Sequence, residues 1–277
     1  MARADVLLLV SDNKPSFMMI AEAVRSKYSG QSEIVSLQGN ANLTAERLPG
    51  LQKHPADLVV AMGLLAAQTA RLHLDDKHIV FCQVLNYEQF DLVTPWMKGV
   101  SALPSLDKQF AFWKKLNPTL QRVMVFTGGH MGYVVTEATK AARDHGIELS
   151  HREISTSREL KMAFDQVADS VQGLWLAPDS SILSTQVISD VMMRALKAQI
   201  QVLAFSPALL KEGALLSATA DENEIINAVL ARIREFEVDG AFRKTNVVDL
   251  MNAKMQLNER AVQQFNLIVP PHLKEPQ

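Results

Sequence analysis

A single cysteine, Cys82, stands among 277 residues. One thiol excludes an intrachain disulfide framework and a cysteine-based zinc site, and it argues against two-lobed racemases that work with two opposed thiols. Cys82 lies inside the apolar run HIVFCQV and reads as a small buried hydrophobe. Long apolar runs are missing as well. None approaches about 18 residues, so no transmembrane helix is expected. The opening MARADVLLLVSDN holds too short an apolar run for a secretion signal and reads as a first strand. A cytoplasmic chain and a chain with its signal trimmed both fit that start. Nor is there an excess of either charge. Lys plus Arg is 28, Asp plus Glu is 30, and the net charge is −2. Without a basic face or tail there is no electrostatic reason to expect a nucleic acid partner.

Catalytic signatures are also wanting. The chain has no G-x-S-x-G elbow and no H-E-x-x-H. The stretch VMVFTGGHMGYVV (123–135) has the outline of a phosphate loop: an apolar run, glycines at 128, 129 and 132, then a helical pattern. It fails in detail. A Walker A loop needs Gly-Lys-Ser/Thr, and no lysine follows. The dinucleotide spacing G-x-G-x-x-G is absent too. What remains is the geometry. Glycines at a strand-to-helix turn let backbone N–H groups approach a ligand, and a helix N-terminus favours negative charge. A tight turn that needs glycine for positive φ explains the same residues equally well.

What is present is alternation. Hydrophobic residues make up 48% of the chain, enough for a large core in one big domain or two smaller ones. VLLLV (6–10), EIVSL (33–37), DLVVAM (57–62) and HIVFCQV (78–84) read as strands, with helices after the first and near 64–73. RVMVFT (122–127), GLWLA (173–177) and IQVLAF (200–205) repeat the theme. Helices fall between them: one to His145 and Gly146, one capped by Thr156 and Glu159 that carries Leu160, Phe164, Val167 and Val171, and one capped by Ser180 or Ser181. Continuous apolar runs suit parallel strands covered on both faces. Strand ends near 10, 62 and 84 match ends near 127, 177 and 205, with intervals of about fifty and then about twenty-five residues, as in a duplicated unit. The fold expected is therefore α/β, with two Rossmann-like lobes built on parallel sheets. TPWMKGVSALPS (94–105) reads as the linker. A helix with Leu106, Phe110, Trp113 and Leu116 follows it. Later come an extended GALLSATA (213–220), a helix capped by Asp221, a final strand at VVDLMN (247–252) and a short helix. The lobes expected are 1–98 with about 220–245, and 104–212 with about 246–277. Crossings fall near 99–103, 213–219 and 240–247.

In parallel α/β sheets, ligands sit beyond the carboxyl ends of the strands. The candidate binding residues are accordingly those of the strand-to-helix turns: Ser11, Asp12, Asn13 and Phe17; Gly63 and Leu64; Asn86 and Tyr87; Gly129, His130 and Met131; Asp179 and Ser180; and Ser206. Of seven histidines only His130 falls on such a turn. Asp179 reads either as an acceptor for a ligand or as part of a helix cap. No catalytic group, metal site or cofactor is expected.

Several stretches carry a resemblance. GVSALPSLDKQFAFWKKLNPTLQRVMVFT, DLVVAMGLLAAQTA, SPALLKEGALLSATADENEI and AKMQLNERAVQQFNLIVPPHL resemble the hinge, third strand, late crossing and C-terminus of the ABC-transporter substrate-binding family that includes tryptophan- and tyrosine-binding proteins. The resemblance implies a type I periplasmic-binding fold with a ligand cleft between lobes and a three-segment hinge. It also implies an extracytoplasmic location and an ABC permease partner. A sensor for a membrane signalling protein is the alternative. The chain departs from the family pattern at Gly63-Leu64-Leu65, Leu85-Asn86-Tyr87 and Phe205-Ser206-Pro207, and keeps the acid of Pro178-Asp179-Ser180. An amino acid ligand needs an acceptor for its ammonium and donors for its carboxylate. With two acids replaced, a neutral or aromatic compound stands beside an amino acid as the ligand.

Overall fold

The computed structural model describes residues 5–179, 181–242 and 245–273. The chain opens with β1 (Val6–Val10), α1 (Pro15–Lys27), β2 (Ser32–Ser36), α2 (Ala41–Gln52), β3 (Leu58–Met62), α3 (Leu64–His73), β4 (His78–Cys82) and β5 (Met97–Val100). It continues through α4 (Leu106–Leu116), β6 (Arg122–Thr127), α5 (Gly132–Asp144), β7 (Glu148–Glu153), α6 (Ser157–Val167), β8 (Gly173–Leu176), α7 (Thr185–Lys197), β9 (Gln201–Ala204) and β10 (Leu216–Thr219). It closes with α8 (Glu222–Asp239), β11 (Val247–Val248), β12 (Lys254–Leu257) and α9 (Glu259–Gln264).

These elements form two compact units. One holds the chain up to Leu103 and Asp221–Leu250; the other holds Pro104–Ala220 and the chain from Met251 on. Each has a six-stranded sheet. The orders are β11-β5-β4-β3-β1-β2 and β12-β10-β9-β8-β6-β7. With β1 matched to β6, the two orders are the same. Only the last strand differs: β11 runs parallel to β5, whereas β12 runs antiparallel to β10. The order reverses beside β1 and β6, the crevice where doubly wound sheets place their ligands.

The apolar runs explain the burial. All five residues of β1 and of β3 are buried, as strands with helices on both faces must be. In β6 the side chains alternate between two cores. Val123 and Val125 join Phe110, Trp113 and Trp175, while Met124 and Phe126 join Phe164, Leu174 and Leu176. Trp113 is fully buried, and its indole N–H donates to Gln201 Oε1 at 3.0 Å. Cys82 is buried, as its apolar run implies, and burial pushes its thiol up to about 12.

Several expectations need correction. The stretch read as a linker contains β5. Its glycine is a packing residue: a Cβ at Gly99 would lie 2.2 Å from the Phe81 ring. Lys98 Nζ donates to Asn246 Oδ1 at 2.6 Å, which ties β5 to the returning chain. The chain passes between units at 103–104, 220–221 and 250–251. Consequently 246–250 belongs to the first unit. The strand expected over 247–252 is only β11, and a separate strand, β12, follows it. Helix α2 lies where no helix is expected and carries Pro49 in its last turn. Asn40 starts it nonetheless, its side chain accepting from the amides of Asn42 and Leu43 at 2.9 and 3.1 Å. Helix α6 ends at Val167, so Val171 lies beyond it. Helix α7 begins at Thr185 under a Ser184 cap, not at Ser180 or Ser181.

Candidate functional site

In the first unit, Ser11 leaves β1 at the sheet's carboxyl edge. Its amide donates to Met62 O at 2.9 Å, and its carbonyl accepts from the Gly39 amide at 2.7 Å. Its hydroxyl accepts from the Ala66 amide at 2.9 Å, so Ser11 caps α3 from 55 positions away. Gly63, at φ +84°, precedes α3. A Cβ there would lie 2.7 Å from Ser11 Oγ and 2.9 Å from the Phe17 ring. Ser11, Gly63, Phe17 and the start of α3 thus interlock. Ser11 is buried and its hydroxyl is engaged in the fold.

The more open residues of this edge are Asp12 and Asn13. Asp12 is ion-paired with Lys14 at 3.5 Å. Helix α1 carries no side-chain cap, and Pro15 occupies its first position. Leu64 is half-buried and packs on the core. Asn86 sits in the left-handed region at φ +53° before a short 3-10 turn. The Tyr87 ring lies 5.4 Å from that of Phe81, so its face is partly used in packing.

The second unit repeats the arrangement with other atoms. Asp179 follows β8 and is buried. Its Oδ2 accepts the Gly128 amide at 2.7 Å. Its Oδ1 accepts the amide and the hydroxyl of Ser181, at 3.0 and 2.5 Å. A Cβ on Gly128 would lie 2.4 Å from Ser181 Oγ. The exit of the first strand of the unit is therefore locked to the exit of the third, as in the first unit. Gly129 and His130 are exposed beyond this lock. Met131 is not part of that exposed rim, since its side chain is buried in the core of the unit. Helix α5 begins at Gly132 without a side-chain cap. Ser206 Oγ accepts from the Ala208 amide at 3.3 Å and caps a short 3-10 turn. Ser180 lies outside the described residues.

One further group was not foreseen. Thr127, fully buried at the end of β6, is hydrogen-bonded to His151 Nε2 at 2.8 Å. Desolvation lowers the pKa of that imidazole, and Glu153 opposes the shift. β7 buries only Leu149, so its sequence does not announce that its one histidine bonds to the end of β6.

Among the described residues no cluster of His, Cys, Asp or Glu is placed to hold a metal ion. Nor is any helix there long and apolar enough to cross a membrane.

Two doubly wound units of one strand order, with polar turns at the carboxyl edges, define a type I periplasmic-binding fold. The model of the ABC transporter substrate binding protein family matches residues 23–275, and the chain belongs to that family. Solved structures agree on the fold. The ABC domain in complex with L-Trp from Streptococcus pneumoniae shares 17% identity at a TM-score of 0.67, covering 99% of each chain. A conserved domain protein from Vibrio cholerae shares 16% at 0.66, covering 98% of this chain and 97% of its own. A substrate binding protein with adhesive properties from Clostridium difficile, solved ligand-free and open, shares 15% at 0.75, covering 97% and 96%. No curated protein sequence matches the chain.

Proposed function

We propose that the chain captures a small ligand outside the cytoplasm and hands it to an ABC permease, with no chemistry of its own. The observation that carries this reading is the family match over residues 23–275. The ligand class follows from the turns. Asp12 offers a carboxylate to an ammonium or hydroxyl group, and Asn13 and Asn86 offer amides. Phe17 and Tyr87 offer ring faces to an apolar or aromatic part. Gly129, His130 and the start of α5 suit a carboxylate or other electron-rich group, because the helix start is electropositive. An amino acid or an aromatic compound fits this set, and L-Trp in the Streptococcus pneumoniae structure is such a ligand. Closure by rotation at the three crossings between units completes the reading.

The test is a thermal-shift screen of free amino acids, aromatic carboxylates and polyols, followed by calorimetry. Native mass spectrometry of the purified protein is run in parallel. One class raising the melting temperature, with a matching retained mass, is the expected result. Small-angle scattering should then show compaction at saturation. A flat screen together with no retained small molecule would sink the proposal. So would ATP or GTP binding at micromolar concentration, because the 128–132 turn has no lysine to neutralise phosphates.

A further inference from the structure

Gln83 is the first residue past β4, beside the exit of β3, whose Gly63 amide donates to Cys82 O at 2.9 Å. Its backbone lies in the left-handed region at φ +55°, where a residue with a side chain is uncommon. Its Nε2 donates to the Ser16 carbonyl at 3.2 Å, in the first turn of α1. Because Ser16 presents an acceptor, the amide is oriented with nitrogen toward it. Oε1 is left buried and finds no hydrogen-bond partner among the described residues. The connection that follows holds two more left-handed non-glycine residues, Asn86 and Asp91. Strained backbone of this kind collects at ligand sites and switch segments.

Position separates Gln83 from other buried atoms without partners. Thr94 Oγ1 and Trp96 Nε1 lie in the same connection, but they lead into β5 at its amino end. Ser217 Oγ belongs to β10, and Arg232 Nε belongs to α8, where the guanidinium binds Glu235 and Thr245 O. Gln83 alone among these stands at the carboxyl edge, beside the turns that hold Asp12 and Gly63. Ligands of parallel sheets bind there.

We propose that Gln83 is a ligand-contacting residue of the first unit, and that its Oε1 accepts a hydrogen bond from a ligand ammonium or hydroxyl group. This rests on the solute-binding reading above and adds a requirement to it: the ligand carries a hydrogen-bond donor. An acceptor left unpaired in a buried place destabilises the free protein, and a ligand donor relieves that penalty on binding. Part of the affinity is thereby stored in the ligand-free fold.

The experiment uses the full chain with L-tryptophan, L-tyrosine and myo-inositol as calorimetric probes. Gln83→Met removes the buried acceptor at similar volume, together with the more exposed Nε2 bond to the Ser16 carbonyl. For any probe that the unaltered protein binds, it should weaken affinity about tenfold or more. The ligand-free melting temperature should hold or rise by about 2–4 °C. Gln83→Glu should strengthen binding of the two amino acids and not of the uncharged polyol. Unchanged affinity in Gln83→Met overturns the proposal, as does a lower ligand-free melting temperature, which would make Gln83 a structural tie to Ser16. If no probe binds the unaltered protein, that result counts against the solute-binding reading. The ligand-free melting comparison then decides the Gln83 proposal by itself: a rise supports it and a fall overturns it.

Discussion

Asp179 holds the exit of β6 through the Gly128 amide, 2.7 Å from Oδ2, while its other oxygen holds Ser181. Both oxygens are spent inside the second unit, so the carboxylate organises the turn that presents Gly129 and His130. Asp179→Ala should lower stability by about 2–3 kcal/mol, since buried donors lose a charged acceptor. Asp179→Asn should lower it less. Thermal melting and calorimetry check this together. An unchanged melting temperature with abolished ligand binding would make Asp179 a direct ligand contact instead.

Gly128 and Gly129 are adjacent and should behave differently. A methyl at 128 meets Ser181 Oγ at 2.4 Å, within the Asp179 lock. A methyl at 129 meets only Glu153 Oε1, at 2.9 Å, the end of an exposed and flexible side chain. Gly128→Ala should cost about 1–3 kcal/mol in denaturant unfolding. Gly129→Ala should stay within about 0.5 kcal/mol of the parent. The larger Gly129→Val should block the ligand while leaving the melting curve nearly in place. Equal unfolding of both alanine variants would show the whole turn to be structural.

Gly99 makes way for a ring. A Cβ there would overlap Phe81 at 2.2 Å, and that ring is fully buried in the core of the first unit. Gly99→Ala should therefore destabilise by about 1–3 kcal/mol. Adding Phe81→Leu should recover part of that loss, a coupling that a double-mutant cycle measures. Strictly additive losses would contradict the packing role.

Two histidines make stability depend on pH. Desolvation lowers the pKa of His78, packed 4.7 Å from the Phe236 ring, against the pull of Asp57. The same cause lowers His151. The ordinary value is 6.5, so below it the unfolded chain binds protons that the folded chain resists. Stability from these groups is fully present above about pH 6.5 and falls as pH drops toward the folded values. Melting temperatures between pH 7 and 5 should decline, and the decline should be shallower in His78→Phe and in His151→Gln. A slope unaffected by either replacement would place the dependence elsewhere. The depressed carboxyl of Asp190, beside Lys161, acts only at lower pH and stays outside this window.

The parallel strands are legible because β1, β3 and β6 are short apolar runs that end at serine, glycine or Gly-Gly, and the duplication follows from their spacing. Gly99 was misread because a glycine between prolines looks the same in a linker as beneath a ring; only Phe81, 18 positions earlier, distinguishes the two. Helix α2 has a weak apolar pattern, with only Thr44 and Leu51 buried, and so leaves little trace in the sequence. The turns themselves were legible, but the duties of their side chains were not. Ser11 and Asp179 bond to amides far away in sequence, Ala66 and Gly128, and no local pattern records such partners. Met131 looks like a loop residue until α5 turns it into the core. Gln83 was absorbed into an apolar run, although a polar residue at a strand exit is itself a signal.

Neither sheet is finished by contiguous chain. The first unit takes α8 and β11 from beyond β10, and the second takes β12 and α9 from beyond β11. Synthesis therefore begins the second unit before the first is complete, and completes the first before the second. Until the final segment emerges, β10 and β5 both present open strand edges, where a neighbouring nascent chain could pair. Two genes each encoding one half would not rebuild this protein, and a premature stop near residue 250 would leave the first half complete and the second unable to close.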